Sequence, residues 1–308
     1  MAAPRGDDRM SRTLQVNDRE KTAARLLGSS AKNSYDPEID IDWAAPLAEA
    51  KPFIPLHRSS LYGTHLWDRL SEEQRIELTK HEFASIASNG LWFEVLLMQM
   101  LLKEFYRSDP RSSHAQYALT EVADECRHST MFAKAVDRIG APAYGPVPVL
   151  FQAGRLLPAV LKGPSAYASI LVAEEILDRF QRDQMYDEDV QPLVRMVNRI
   201  HVLEEARHVT FAREEVIRRM AECNAAERAY HQFWTAAVAY GICFSLINPR
   251  VYKSVGLRPR DAYRVAWRNP HFLDTLHWGG EKIMGFLDEA GLVGAPGMPF
   301  WKKAGLIR

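Results

Sequence analysis

The chain has 308 residues, 47% of them hydrophobic, with 39 acidic and 39 basic side chains. That is enough apolar material for a full core, and the balanced charge excludes the strong fields that recruit nucleic acid or an anionic membrane surface. Cys126, Cys223 and Cys243 form no CxxC pair, which fits a reducing cytoplasm and not a disulfide framework.

In chain order, residues 1–35 are polar and weakly periodic and read as a mobile leader. No apolar signal segment is visible there, so a cytoplasmic location is expected. Residues 36–70, rich in Pro and Asp, read as an extended segment leading onto the domain. At Ser71 the texture changes: an N-cap residue followed by Glu72 and Glu73 is a helix start. The spacing of apolar residues then predicts helices over 71–107, 112–139, 164–189, 191–222 and 225–247, parted by short Pro-, Gly- and Ser-containing breakers. The run "FWTAAVAYGICFSLI", 233–247, is the longest apolar stretch. A membrane span needs ~20 residues, so this run reads as a fully buried core helix. The tail, 248–308, carries Pro and Gly punctuation and one helix near 270–290. Strand-like alternation is almost absent. The expectation is one all-α domain, 36–308, with a four-helix-bundle core at 71–247 and additional helices.

Two stretches carry one chemical pattern twice. "TEVADECRHSTMF" (120–132) and "RIHVLEEARHVTF" (199–211) both contain acid-Glu-x-Arg-His. A helical turn puts residues i, i+3 and i+4 on one face, so Glu125 projects with His128, and Glu205 with His208 and His201. Glu-x-x-His on two helices, with one further Glu from each of two others, is the metal signature of ferritin-like di-iron and di-manganese bundles. Bridging carboxylates can hold two ions about 3.5 to 4 Å apart, and imidazole suits iron. The single acids are assigned to Glu94, flanked by Leu91, Leu97 and Met98, and to Glu174, flanked by Ile170, Leu171 and Leu177. Glu82 and Glu175 sit on more mixed faces. A buried acid on an apolar face is costly without a partner, and a metal supplies one.

Blander readings stand beside these. A lone Glu-x-x-His on a helix usually marks a solvated face, and a lone histidine beside a core, as His201 would be by itself, is more often a hydrogen-bonded core residue. Arg127 and Arg207 read as salt-bridging residues. Asp178 either orients a metal-bound histidine or pairs with Arg182. Trp92, Phe93, Met98 and residues 231–252 could line a pocket or simply fill the core, and "GAPGMPFW" (294–301) could be a lid or a subunit contact.

From about Tyr35 to beyond Glu215 the chain resembles the p-aminobenzoate N-oxygenases, non-haem di-iron arylamine oxygenases of the AurF type. The family's third histidine, His-x-x-x-Glu-x-x-His, is matched by His201, Glu205 and His208; its Glu-x-x-His by Glu125 and His128; its "VAE" by Val172-Ala173-Glu174. Glu94 matches by position and apolar setting alone. The resemblance implies two iron ions held by Glu94, Glu125, His128, Glu174, His201, Glu205 and His208. It further implies O2 as co-substrate and an aromatic amine oxidised to hydroxylamine, nitroso or nitro products. No flavin, nicotinamide or iron–sulfur motif is visible, so electrons come from an external donor, a separate reductase or a small-molecule reductant. A homodimer is expected, with no nucleic acid or membrane partner. Two alternatives remain: a di-iron hydroxylase or desaturase acting on a carbon substrate such as an acyl chain, which a long apolar tunnel would favour, and a non-enzymatic iron-binding ferritin-like protein, which a large symmetric shell would favour.

Overall fold

The computed structural model describes residues 14–308. Its helices are α1 (Arg19–Ser30), α2 (Pro37–Asp40), α3 (His65–Asp68), α4 (Glu72–Phe105), α5 (Ser113–Arg138), α6 (Pro148–Gly154), α7 (Leu157–Val160), α8 (Pro164–Tyr186), α9 (Pro192–Glu222), α10 (Ala225–Ser245), α11 (Pro259–Ala266), α12 (Pro270–Glu289) and α13 (Met298–Lys303). No strand occurs among the described residues. The fold is all-α and ferritin-like.

Helices α4, α5, α8 and α9 form the bundle. The loops joining α4 to α5 and α8 to α9 are short, so each pair packs as an antiparallel hairpin, while one long connection, carrying α6 and α7, crosses from α5 to α8. The predicted helix starts hold because their caps are real. Ser71 accepts from the Gln74 N–H while the Gln74 side chain accepts from the Ser71 N–H, and Asn224 caps α10 in the same reciprocal way with Glu227. Pro164 and Pro192 stand in the first turns of α8 and α9, where a missing N–H costs nothing. Helix α4 is long and apolar enough to cross a membrane, but more than half of its apolar window is buried inside the protein.

Three expectations need correction. Residues 1–13 of the expected leader lie outside the described residues, but the rest is not loose. It contains α1, which packs on α5 and α9 with Ala23 and Leu26 fully buried. Arg19 anchors α1 by a bidentate pair with the buried Glu215. A helix with so narrow an apolar face gives little periodic signal, and its polar anchors, Glu215 for Arg19 and the Ser113 N–H for Glu20, are distant in sequence. The 233–247 run is also not fully buried. Phe233 is 39% exposed, and Trp234, Ala237 and Gly241 are half-buried along a surface-facing cavity. Finally, the tail holds α11 and α13 besides the expected helix, and Val251, Tyr252 and Trp301 are fully buried. The 36–70 segment is pinned as it runs over the domain: the Gln191 amide donates to the carbonyls of Ala48 and Lys51, and the Gln191 backbone N–H to that of Pro52.

Candidate metal centre

The four bundle helices each turn an acid inward at the same level. Glu125 and His128 come from α5, His201, Glu205 and His208 from α9, Glu94 from α4 and Glu174 from α8; all seven are buried. Donor atoms of Glu125, His128, Glu205 and His208 lie within 4.8 Å of one another, and so do those of Glu174, His201 and Glu205. Glu205 belongs to both groups. His208 Nδ1 stands 2.8 Å from Glu205 and 3.1 Å from Glu125. His128 Nδ1 is 3.4 Å from each of the same two carboxylates. His201 Nε2 is 3.7 Å from Glu205, 3.8 Å from Glu94 and 3.9 Å from Glu174. Glu94 therefore reaches the cluster through its edge, with its other oxygen accepting from the Ser129 hydroxyl.

The test of fit to metal is polar satisfaction. Both oxygens of Glu125, one each of Glu174 and Glu205, His128 Nδ1 and His201 Nε2 are buried without a hydrogen-bond partner. Buried polar groups are almost always paired, so orphan donors and acceptors converging on one space call for an ion. The donor set, carboxylate oxygen and imidazole nitrogen, suits iron or manganese.

Metal-free electrostatics point the same way. Burial, reinforced by the negative charge of Glu125, pushes Glu94 up to about 8. Glu174 is raised well above the usual carboxyl range by burial and then by Glu205, Glu125 and Glu94. For Glu205 burial acts upward too, but the charge of His208, its hydrogen bond and the nearness of His128 outweigh it and hold the group well below that range. Burial would lower His128 and His208, yet the carboxylates around them raise both well above an ordinary imidazole. Burial pushes His201 down to about 4 and keeps it a neutral donor. The cluster thus holds Glu125 and Glu205 toward the ionised form and His128 and His208 toward the protonated one, while Glu94, Glu174 and His201 are held toward their neutral forms.

The duplicated acid before each Glu has a role the spacing did not reveal. It serves the other helix. Glu204 accepts from His128 Nε2 at 2.8 Å, and Asp124 from His208 Nε2 at 3.2 Å. Arg127 and Arg207 each contact both acids, so the salt-bridging reading of these arginines holds and the network closes behind the two rings. The exchange follows from packing α5 against α9: each ring turns one nitrogen inward and presents the other to the acid opposite. Removing such a partner typically costs about ten- to hundredfold in metal affinity. Asp124→Asn, which keeps the shape and loses the charge, should show that loss in a chelator competition while helix content by circular dichroism stays at the wild-type level.

Other assignments sort differently. Gln181, which the sequence did not single out, holds His201 Nδ1 at 2.7 Å and so aims Nε2 at the cluster. Asp178 takes the ordinary alternative and pairs with Arg182 at 2.8 Å. Glu175 is as buried as Glu174 but faces away, bound bidentate by Arg213. Glu82 is fully buried, receives the backbone N–H and hydroxyl of Ser60, and is pushed up to about 7 by burial. Glu121, one turn before Glu125, is a further buried acid, raised to about 8 by burial, and it was missed. Burial of an acid therefore does not by itself mark a ligand here; convergence does.

Convergence of four carboxylates and three histidines, with the third histidine four residues before a shared glutamate, coincides with a match to the family model described as p-aminobenzoate N-oxygenase AurF over residues 16–291. The chain belongs to the AurF family. Similar proteins include uncharacterized proteins of Mycobacterium bovis and Mycobacterium tuberculosis, each 29% identical over 234 residues, which is 73% of this chain and 68% of theirs. AurF membership makes the protein a di-iron oxygenase at the level of the family, and the buried carboxylate–histidine cluster is in keeping with that.

Proposed function

We propose that the protein is an O2-dependent di-iron N-oxygenase acting on an aromatic amine. The observation that carries this reading is the pair of donor groups sharing Glu205, with His201 as a third imidazole, in a chain of this family. Glu125, His128, Glu205 and His208 would hold one side of the centre, and Glu174, His201 and Glu205, with Glu94 at the edge, the other. Two iron ions so held would supply O2 activation and reversible electron storage.

The chain's own residues do the rest. Asp124 and Glu204 fix the tautomers of His208 and His128 by taking the outward N–H, and Gln181 does the same for His201 if its Nδ1 carries the proton. Apolar helix faces exclude water. Amine to hydroxylamine balances as amine, O2, two electrons and two protons giving hydroxylamine and water. The electrons come from a separate reductase or a small-molecule donor. Free Cys126, Cys223 and Cys243 support a reducing, cytoplasmic setting, and a homodimer is the assembly we favour over a storage shell.

A carbon substrate is the second reading, favoured by the apolar cavity beside Phe93 and Trp234. The deciding experiment supplies ferrous-loaded protein with O2, a reductant and a panel of arylamines including p-aminobenzoate, with mass spectrometry of products. Oxygen gained on nitrogen is the expected result. Protein that holds two irons and consumes O2 yet leaves every amine unchanged would reject N-oxygenation and favour oxidation at carbon.

A further inference from the structure

A chamber of about 170 Å3 lies between α4, the α6–α7 segment and α10. Trp92, Phe93, Gly154, Trp234, Val238 and Gly241 form much of its wall, and among the described residues no Asp, Glu, Lys, Arg or His lines it. Phe93, Leu157, Val238 and Ile242 also border a narrower space of about 20 Å3 that reaches Glu174. The two spaces share these four side chains as a common wall, so only one apolar layer parts the chamber from the space that reaches Glu174. A third space, also about 20 Å3, touches Glu94 and Glu174 from the side of Gln181, Gln184 and Asn198; it offers amides and no cation.

Size and charge together limit what fits. An apolar cavity of about 150 Å3 stays dry and takes up benzene, so the chamber suits one ring, whereas the two narrow spaces hold little more than a water each. A carboxylate brought into such a wall loses its hydration and gains no charged partner. The approach is apolar as well: Phe151 stacks on Trp92 with ring centres 6.2 Å apart and is 44% exposed, and Val149 and Leu156 on the same segment are 72% and 64% exposed.

We propose that the substrate is an uncharged, apolar molecule carrying about one ring, seated in the chamber and directed past Phe93 toward Glu174, and that the absence of a wall cation disfavours a carboxylated amine such as p-aminobenzoate. The proposal rests on the metal-centre reading above and narrows its substrate. Two glycines set the volume. A Cβ on Gly154 would stand 2.2 Å from the Trp92 ring, so only glycine lets that ring lie flat against α6. A Cβ on Gly241 meets nothing within 4 Å, so a side chain there starts into the chamber without a clash at its first carbon and improves the helix propensity of α10.

The test measures binding, by ligand-observed NMR and calorimetry, on the full chain with and without bound ferrous iron. The compounds are aniline and p-toluidine, uncharged at neutral pH, against p-aminobenzoate. The uncharged amines should bind at least about tenfold more tightly. Gly241→Leu should weaken them by a similar factor while the melting temperature and iron content hold. Ala237→Arg, at a half-buried wall position from which the guanidinium can reach solvent, should raise affinity for p-aminobenzoate and decides the matter if Gly241→Leu folds poorly. The proposal is overturned if no uncharged amine binds more tightly than p-aminobenzoate, or if a folded Gly241→Leu binds p-toluidine as the wild type does. Chamber-dependent binding with oxidation only at ring or methyl carbon would uphold the substrate class and reject N-oxygenation.

Discussion

Glu205→Ala is expected to empty the centre of both metal ions, whereas His201→Ala should empty one position and leave the other. Glu205 belongs to both donor groups, and His201 to one. The two positions are therefore not equivalent for metal stoichiometry, even though they lie one helical turn apart on α9. Elemental analysis after loading with ferrous iron should read near zero for Glu205→Ala and near one for His201→Ala, against about two for the parent. Oxidase activity should fall by about a thousandfold or more in Glu205→Ala, since the chemistry needs the pair. The metal-free Glu205→Ala protein should also be less stable by about 3–5 kcal/mol, because two buried imidazolium rings are left with Glu125 as their only inward-facing carboxylate. Retention of one ion by Glu205→Ala would sink the shared-ligand assignment. Full iron content and full activity in His201→Ala would remove the third histidine from the centre.

Loading the centre should release protons, and the number follows from the groups already described. His128 and His208 are raised and carry a proton at pH 7, and Glu94, at about 8, and Glu174 are also protonated there. Glu125, Glu205 and the neutral His201 contribute none. Two divalent ions binding to four carboxylates and neutral imidazoles therefore displace about four protons, and the site stays electroneutral before and after. The sign is fixed by competition: affinity rises with pH because protons and metal contend for the same lone pairs. Above pH 8 Glu94 is already ionised, the released number drops to about three, and the dependence becomes shallower. Calorimetric titration at pH 7 in two buffers of different ionisation enthalpy reads the proton number directly. Release of about two protons would show that Glu94 and Glu174 are already ionised in the metal-free protein, and release of none that the two rings are neutral as well.

Much of the site was legible because helical spacing is a local property. Glu125 with His128, and Glu205 with His201 and His208, needed only the 3.6-residue turn, and the helices that carry them begin at the capping Ser112 and at the first-turn Pro192. Local texture also separated Glu174 from Glu175: the first faces the cluster and the second faces Arg213. The same reasoning failed where partners are distant in sequence. The leader looked unattached because Arg19 finds its acid at Glu215, and Glu82 looked half-solvated because its hydroxyl partner is Ser60. Glu121 escaped notice because nothing within one turn distinguishes it from a solvated acid.

By itself, then, the amino-acid sequence determined the helices, the faces that carry the Glu and His pairs, and the family, because each of these is written in intervals of three and four residues along one strand of chain. Only the tertiary structure decided which acid serves which ring. Asp124 orients a histidine 84 positions away and Glu204 one 76 positions away, and that exchange exists only once α5 lies against α9. It decided the chamber as well. An apolar wall with no cation is made by residues of α4, α6 and α10 meeting at a distance from one another in sequence, and its volume is set by what two glycines leave unfilled. Periodicity encodes which way a side chain points; what it meets there depends on packing between segments that no local interval can describe.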